Sequence, residues 1–156
     1  HRQKESEQKK MLNVRSIKET DVESVAKMEK LYFTDAWSEK SILETMQQAQ
    51  AFVLVAEENE EIIGYCIVYF ALDEAEIARI AVDASRRKQG VGQELLRATC
   101  RVGIQQGIER LLLDVRESNS AALNLYRSFG FAEDGIRKNF YENPKEHAVL
   151  MSMSIV

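Results

Sequence analysis

The stretch Ile77-Ala78-Arg79-Ile80-Ala81-Val82-Asp83-Ala84-Ser85-Arg86-Arg87-Lys88-Gln89-Gly90-Val91-Gly92-Gln93-Glu94-Leu95-Leu96 changes its hydrophobic period midway. Up to Val82 the apolar residues run almost unbroken, interrupted only by Arg79, as expected of a strand buried on much of both faces. Beyond the turn, Val91, Leu95, Leu96, Thr99 and Val102 recur at helical spacing. Gly90 and Gly92 therefore sit where a strand hands over to a helix. Glycine lets the backbone turn tightly there and lets an anion approach without meeting a Cβ, while the first free N–H groups of the helix point at it. The positive end of the helix dipole favours a phosphate, and Arg86, Arg87 and Lys88 add formal charge beside it. The turn reads as a cradle for a pyrophosphate. Steric demand alone also puts glycines in such turns, so the rest of the chain must decide. No Gly-Lys-Ser/Thr ending follows, which argues against an NTPase loop, and Glu94 or Leu95 stands where a dinucleotide fingerprint needs its third glycine.

Upstream, Leu12 to Ile17 alternates loosely and reads as a first strand. Thr20, Asp21, Val22 and Glu23 fit a capping box, the threonine accepting from the third residue of the turn while the glutamate reaches back. A helix with Val22, Val25, Ala26, Met28 and Tyr32 facing inward follows. The segment from Tyr32 to Trp37 is aromatic and aperiodic, and Ser38 reads as the N-cap of a short second helix carrying Ile42, Leu43 and Met46. These aromatics either plug the gap between two helices or wall a peptide-binding groove. Ala51–Glu57 and Ile62–Phe70 are strand patterns joined by the polar turn Glu58-Asn59-Glu60-Glu61, an antiparallel hairpin. A second turn, Leu72 to Glu74, leads into the cradle strand.

Downstream, the crossover helix ends near Gly103 to Gly107, with Gly107 a candidate left-handed cap. Leu111 to Val115 is a buried-type strand, and the strand–helix–strand unit makes it a parallel neighbour of the cradle strand. Glu117, Ser118 and Asn119 open a last helix, Ala121 to Phe129. Gly130 followed by Phe131 ends it, the glycine taking the left-handed position while the phenylalanine packs back on the last turn. Ala132 to Arg137 and Ala148 to Ile155 are closing strands.

At 156 residues the chain suits one domain with a sizeable core, assigned to 11–156. Residues 1–10 hold no apolar side chain and read as a disordered extension, or one foreign to the natural protein, with Met11 the native start. They carry more bases than acids, so the remainder is more acidic than the overall net charge of −4. That balance excludes a general basic surface for nucleic acid and is compatible with a basic peptide partner. No apolar run approaches a membrane span and no signal-peptide pattern opens the sequence, so the expected location is cytoplasmic, with no membrane partner. Cys66 and Cys100 belong to no CxxC pair and read as small buried hydrophobes. With His1 and His147 the only histidines, no metal site is expected.

Asp114 interrupts an apolar strand, and a carboxylate there must find a partner or line a cavity, because burying it alone costs several kcal/mol. Asn119 and Tyr126 follow on the next helix. Singly, these residues read as a cap or as core. Together with Arg87, Gly90 and Gly92 in the pattern Arg/Gln-x-x-Gly-x-Gly/Ala, and with the run Leu112, Asp114, Val115, Arg116, Asn119, Ala122, Leu125, Tyr126, Gly130, Phe131, the chain resembles the GNAT superfamily of N-acetyltransferases. Trp37-Ser38-Glu39-Lys40, Ile80 to Asp83 and Arg137 to Tyr141 make it most similar to the ribosomal-protein alanine N-acetyltransferase (RimI-like) branch. The resemblance covers essentially Met11 to Val156. It implies an α/β (α+β) fold: a mixed, mostly antiparallel twisted sheet of about seven strands with a central parallel pair, flanked by about four helices.

The resemblance further implies acetyl-CoA as co-substrate. Its pyrophosphate would be bound by Arg87, Lys88, Gln89, Gly90, Val91 and Gly92, its pantetheine arm by the backbone of Ile80, Ala81 and Val82 and by Asn119. Tyr126 would face the sulfur and protonate the departing thiolate, and Asp114 would take a proton from the acceptor amine. Two positions depart from the branch: Asp114 stands for its usual glutamate and Ala36 for its proline. With the shorter side chain, Asp114 acts through a water, or Glu117 or a backbone-held water takes the role. Tyr32, Phe33, Trp37 and Tyr141 would wall the groove for a basic peptide or protein N-terminus, from a ribosomal protein by the resemblance. Lysine or small-amine acetylation on the same fold, and a module that binds acetyl-CoA without turnover, are the competing readings.

Overall fold

A computed structural model describes residues 12–156, and the expectation for residues 1–10 lies outside the described residues. Seven strands make one sheet: β1 (Asn13–Ser16), β2 (Ala51–Glu58), β3 (Glu61–Ala71), β4 (Glu74–Val82), β5 (Arg110–Arg116), β6 (Ala132–Tyr141) and β7 (Glu146–Ser154). Four α-helices accompany them: α1 (Val22–Tyr32), α2 (Glu39–Met46), α3 (Val91–Gln105) and α4 (Ser120–Phe129). The strand order is β1-β2-β3-β4-β5-β7-β6. Every pairing is antiparallel except β4 with β5, the pair joined through α3.

Alternation along the strands divides the core in two. One face of the sheet puts Leu54, Cys66, Val68, Leu111 and Leu113 against Leu95, Leu96 and Tyr126 of α3 and α4. The other puts Val53, Val55, Tyr65 and Ile67 against Val25 and Ile42 of α1 and α2.

Two irregularities in β4 shape the middle of the sheet. Ile67 pairs with Arg79 and Val68 with Ile77, so Ala78 is an extra residue, a β-bulge. The bulge reverses the strand's phase. Ile77 faces the α3/α4 core, whereas Ala81, on the same parity, faces the α1/α2 core, and Ile80 and Val82 turn to the α3/α4 side. In addition, β4 and β5 pair only through Glu74–Arg110, Ala75–Leu111 and Glu76–Leu112. Beyond those positions the two strands part, and one edge of β4 from Ile77 to Val82 opens between them.

Local chemistry matches the sequence at several ends. Ser38 caps α2 by accepting the Ser41 N–H at 3.1 Å. Gly107 and Gly130 have φ of 81° and 129°, and the Phe131 N–H reaches back to the Tyr126 carbonyl at 2.9 Å, closing α4. The capping box at Thr20 does not form. Instead Glu19–Asp21 is a 3-10 turn, and the Asp21 carboxylate accepts the Lys18 N–H at 2.7 Å. Arg15 explains the change: its guanidinium binds Asp21 at 2.7 and 3.1 Å and Glu57 at 2.7 Å, drawing the aspartate back over β1. The strand expected over Ala132–Arg137 continues to Tyr141.

At the β2–β3 turn Asn59 has φ 51° and Glu60 φ 65°. Asparagine tolerates that region, but a glutamate is strained there where glycine is not. Glu60→Gly should stabilise the fold by about 1 kcal/mol, raising Tm by roughly 2–4 °C in a thermal melt.

Candidate functional site

The cradle takes its shape from the β4–α3 turn. Gly90 is the N-cap of α3 with φ 84°, a conformation glycine adopts without strain, and a Cβ built there would meet no atom within 4 Å. The space in front of the helix is thus open to a ligand. The first helical bond is Glu94 N–H to the Gly90 carbonyl at 3.1 Å, so the amides of Val91, Gly92 and Gln93 have no partner within the helix. Gly92 serves packing as well, since a Cβ on it would lie 2.9 Å from Leu125 of α4. Lys88 and Gln89 are exposed on the turn. Arg87 leans back across it, its Nε donating to the Val82 carbonyl at 3.1 Å. A pyrophosphate fits this donor set: free amides, open space in front of Gly90, and cationic side chains on its rim.

Tyr32 lies beside the β4–α3 turn. Its hydroxyl accepts the Ala84 N–H at 2.8 Å, and the Arg87 guanidinium lies 4.8 Å from its ring centroid. Asn119 uses its side-chain oxygen as the N-cap of α4, accepting the Ala122 N–H at 3.1 Å. Its NH2 group remains to donate elsewhere.

Near where β4 and β5 part, Tyr141 lies within electrostatic reach of both Asp114 and Tyr126. Burial pushes the Asp114 carboxyl above the usual carboxylate range, with the Arg137 guanidinium pulling the other way. Tyr141, at the end of β6, is pushed up to about 12, first by burial and then by the Asp114 carboxylate. Tyr126 is 6% exposed, and burial holds its phenol well above its ordinary value, reinforced by Cys66 and Tyr141. Tyr126 and Tyr141 therefore keep their protons at neutral pH, while Asp114 is a carboxylate made more basic than usual. A cavity of about 790 Å³ opens beside Asp114, bordered by Tyr69, Glu76, Leu112 and Arg137. The strand carboxylate does line a cavity.

Phe33 and Trp37 lie in the loop between α1 and α2. The Phe33 ring is covered by the Arg79 guanidinium at 3.9 Å, and Trp37 packs against Tyr69 with ring centroids 6.1 Å apart. Tyr141 is held by Arg116, whose guanidinium lies 4.5 Å from its ring and donates to the carbonyls of Glu142 and Pro144 at 2.9 and 2.8 Å. Sequence reasoning gives no role to Arg79, Glu29, Tyr65 or Arg116. The available signal is a pair of oddities: a glutamate on the buried stripe of α1 and an arginine inside an apolar strand. Among the described residues no group of three or more His, Cys, Asp or Glu converges as a metal site.

A model of the acetyltransferase (GNAT) family matches residues 22–131. The ribosomal protein bS18-alanine N-acetyltransferase of Haemophilus ducreyi is 35% identical over 143 residues, 90% of this chain and 98% of that protein. Its counterpart in Escherichia coli (strain K12) is 33% identical over 148 residues, 93% of this chain and 99% of that one. The crystal structure of the Escherichia coli enzyme gives a TM-score of 0.83, covering 93% of this chain and 94% of that one. A Salmonella typhimurium structure described with its cofactor acetyl-CoA, at 18% identity, shares the fold with a TM-score of 0.77 over 94% of this chain and 95% of that one.

Proposed function

The chain belongs to the acetyltransferase (GNAT) family, and from that premise we propose that it acetylates the α-amine of the N-terminal alanine of ribosomal protein bS18, in the cytoplasm. The observation that carries this reading is near full-length similarity, at 33% and 35% identity, to enzymes named for that activity. Among the described residues no helix is long and apolar enough to cross a membrane, which is compatible with it.

Acetyl-CoA supplies the acetyl thioester. The amides at the Gly90 end of α3, with Arg87 and Lys88, hold its pyrophosphate. The open edge of β4 at Ile80, Ala81 and Val82 offers backbone groups to its amide-bearing arm, with the Asn119 NH2 as a further donor. A free α-amine, with a pKa of ~7.7–8.0, is largely protonated at neutral pH and must lose a proton before attack. Asp114, directly or through one water, takes that proton. Tyr126, protonated because it is buried, returns one to the thiolate.

The sign of the pH dependence is set by the charges. Asp114 works as a base only when ionised, so activity rises with pH through its pKa. Arg137 favours the ionised form, and removing it must raise that pKa further. Arg137→Gln should therefore move the acidic limb of kcat/KM to higher pH, measured against peptide at saturating acetyl-CoA. An unmoved limb would assign the base to another group, with Glu117 next in line.

The direct test is incubation with acetyl-CoA and a panel of peptides differing only in the first residue, one of them N-terminally blocked with an internal lysine, read by intact mass. A gain of one acetyl group on the alanine-starting peptide is expected. Acetylation of the blocked peptide would favour a lysine acetyltransferase, and tight cofactor binding without product from any amine would favour a binding module.

A further inference from the structure

One residue past its bulge, β4 carries a side chain that takes no part in either proton transfer. Arg79 is 12% exposed and sits against Glu29, which is 0% exposed. Its Nε donates to Glu29 Oε1 at 3.1 Å. Its Nη2 donates to the Asp35 carbonyl at 3.0 Å and to Asp35 Oδ1 at 3.2 Å. The Phe33 ring lies against the guanidinium, and Glu29 itself accepts the Trp37 N–H at 3.0 Å. The loop from Phe33 to Trp37 is thereby held at its start, middle and end by one guanidinium and the carboxylate it pairs with. The bulge makes this possible, because regular alternation would have aimed Arg79 into the α3/α4 core.

Buried ion pairs of this kind add little net stability, since desolvation offsets attraction. What a planar, forked guanidinium adds is geometry, fixing two partners at set angles. Trp37, at the end of the loop it fixes, packs against Tyr69 with ring centroids 6.1 Å apart, and Tyr69 borders the cavity beside Asp114. One border of the groove beside Asp114, Tyr69, is thus backed by a loop tied to β4.

We propose that Arg79 is a positioning residue for acetyl transfer: it locks the Phe33–Trp37 loop onto β4 and so sets where the acceptor amine enters relative to the bound donor. This rests on the acetyltransferase reading for its kinetic consequence, but its structural part can be read without turnover. Trp37 is the single tryptophan of the chain, so its emission reports the loop alone.

The test compares Arg79→Gln, the double variant Glu29→Gln with Arg79→Gln, and Asp35→Ala. The double variant leaves no unpaired buried charge and keeps the experiment informative if Arg79→Gln fails to fold. Asp35→Ala cuts one tether at an exposed position, 78% exposed, and leaves the buried pair intact. Acrylamide should quench Trp37 more readily in the double variant and in any folded Arg79→Gln, with red-shifted emission. The acceptor peptide KM should rise by about 10–100-fold, as a displaced reactant wall predicts, while the acetyl-CoA KM stays within about twofold. Asp35→Ala should raise the acceptor KM by a smaller factor. Unchanged Trp37 quenching in the folded double variant overturns the proposal, as does changed quenching with an unchanged acceptor KM. A wild-type protein that acetylates no amine, with quenching altered in the variants, counts against the acetyltransferase reading and supports the tether.

Discussion

Tyr126→Phe should lower kcat by about 100-fold or more, the range that a positioned general acid contributes, while acetyl-CoA affinity changes little. The substitution isolates one atom. The ring is 6% exposed and packs edge-on against Phe131 with centroids 5.7 Å apart, contacts that a phenylalanine keeps. Burial holds the phenol well above its ordinary value, so at neutral pH a proton is present to give. The thiolate leaving group needs one, and no other hydroxyl on α4 is comparably buried. Single-turnover rates alongside equilibrium acetyl-CoA binding would separate chemistry from affinity. A normal turnover rate in Tyr126→Phe would leave the tyrosine as packing alone.

Glu29→Ala is expected to cost about 3–5 kcal/mol, because it strands a guanidinium in a dry site. The carboxylate is fully buried and accepts from Arg79, Tyr65 and the Trp37 amide at once. Removing it leaves three donors unmatched and opens a hole against α1. Against a total stability of about 5–15 kcal/mol this is a large fraction, and Tm should fall by about 6–20 °C. Glu29→Gln, which keeps the shape and one acceptor, should lose less. A melt of Glu29→Ala within 2 °C of wild type, by the roughly 2–4 °C per kcal/mol expected at this size, would mean that the pair breaks even with an empty site.

Legible and illegible features of the sequence divide along a physical line. The cradle, the Ser38 cap, the Gly130–Phe131 ending and the parallel pairing of β4 with β5 are each dictated by residues close in sequence, whose turn chemistry has few solutions. Asp114 can be singled out because a carboxylate in an apolar strand is costly wherever it lands, whereas Tyr126 reads as core on its own and is picked out only by the family resemblance. The bulge at Ala78 carries no such mark. It depends on the register of β3 against β4, which the hydrophobic pattern leaves free by one residue. The Glu29–Arg79 pair joins positions 50 apart, and each member alone reads as an exception to a stripe. The capping box at Thr20 fails for a related reason: Arg15 of β1, itself braced by Glu57 of β2, binds the aspartate beside it. Tyr32 sits among groove aromatics in the sequence, and the contact of its hydroxyl with the Ala84 N–H, 52 positions on, carries no local mark.

The parting of β4 from β5 has a thermodynamic corollary. An inner strand of the sheet has been given the loose flank that normally belongs to an outer one. Any guest whose amides complete that flank becomes, while it stays, a further rung of the ladder, and its residence adds to the free energy of the native state by mass action. Supply of the guest and lifetime of the folded chain are then the same equilibrium seen from two sides.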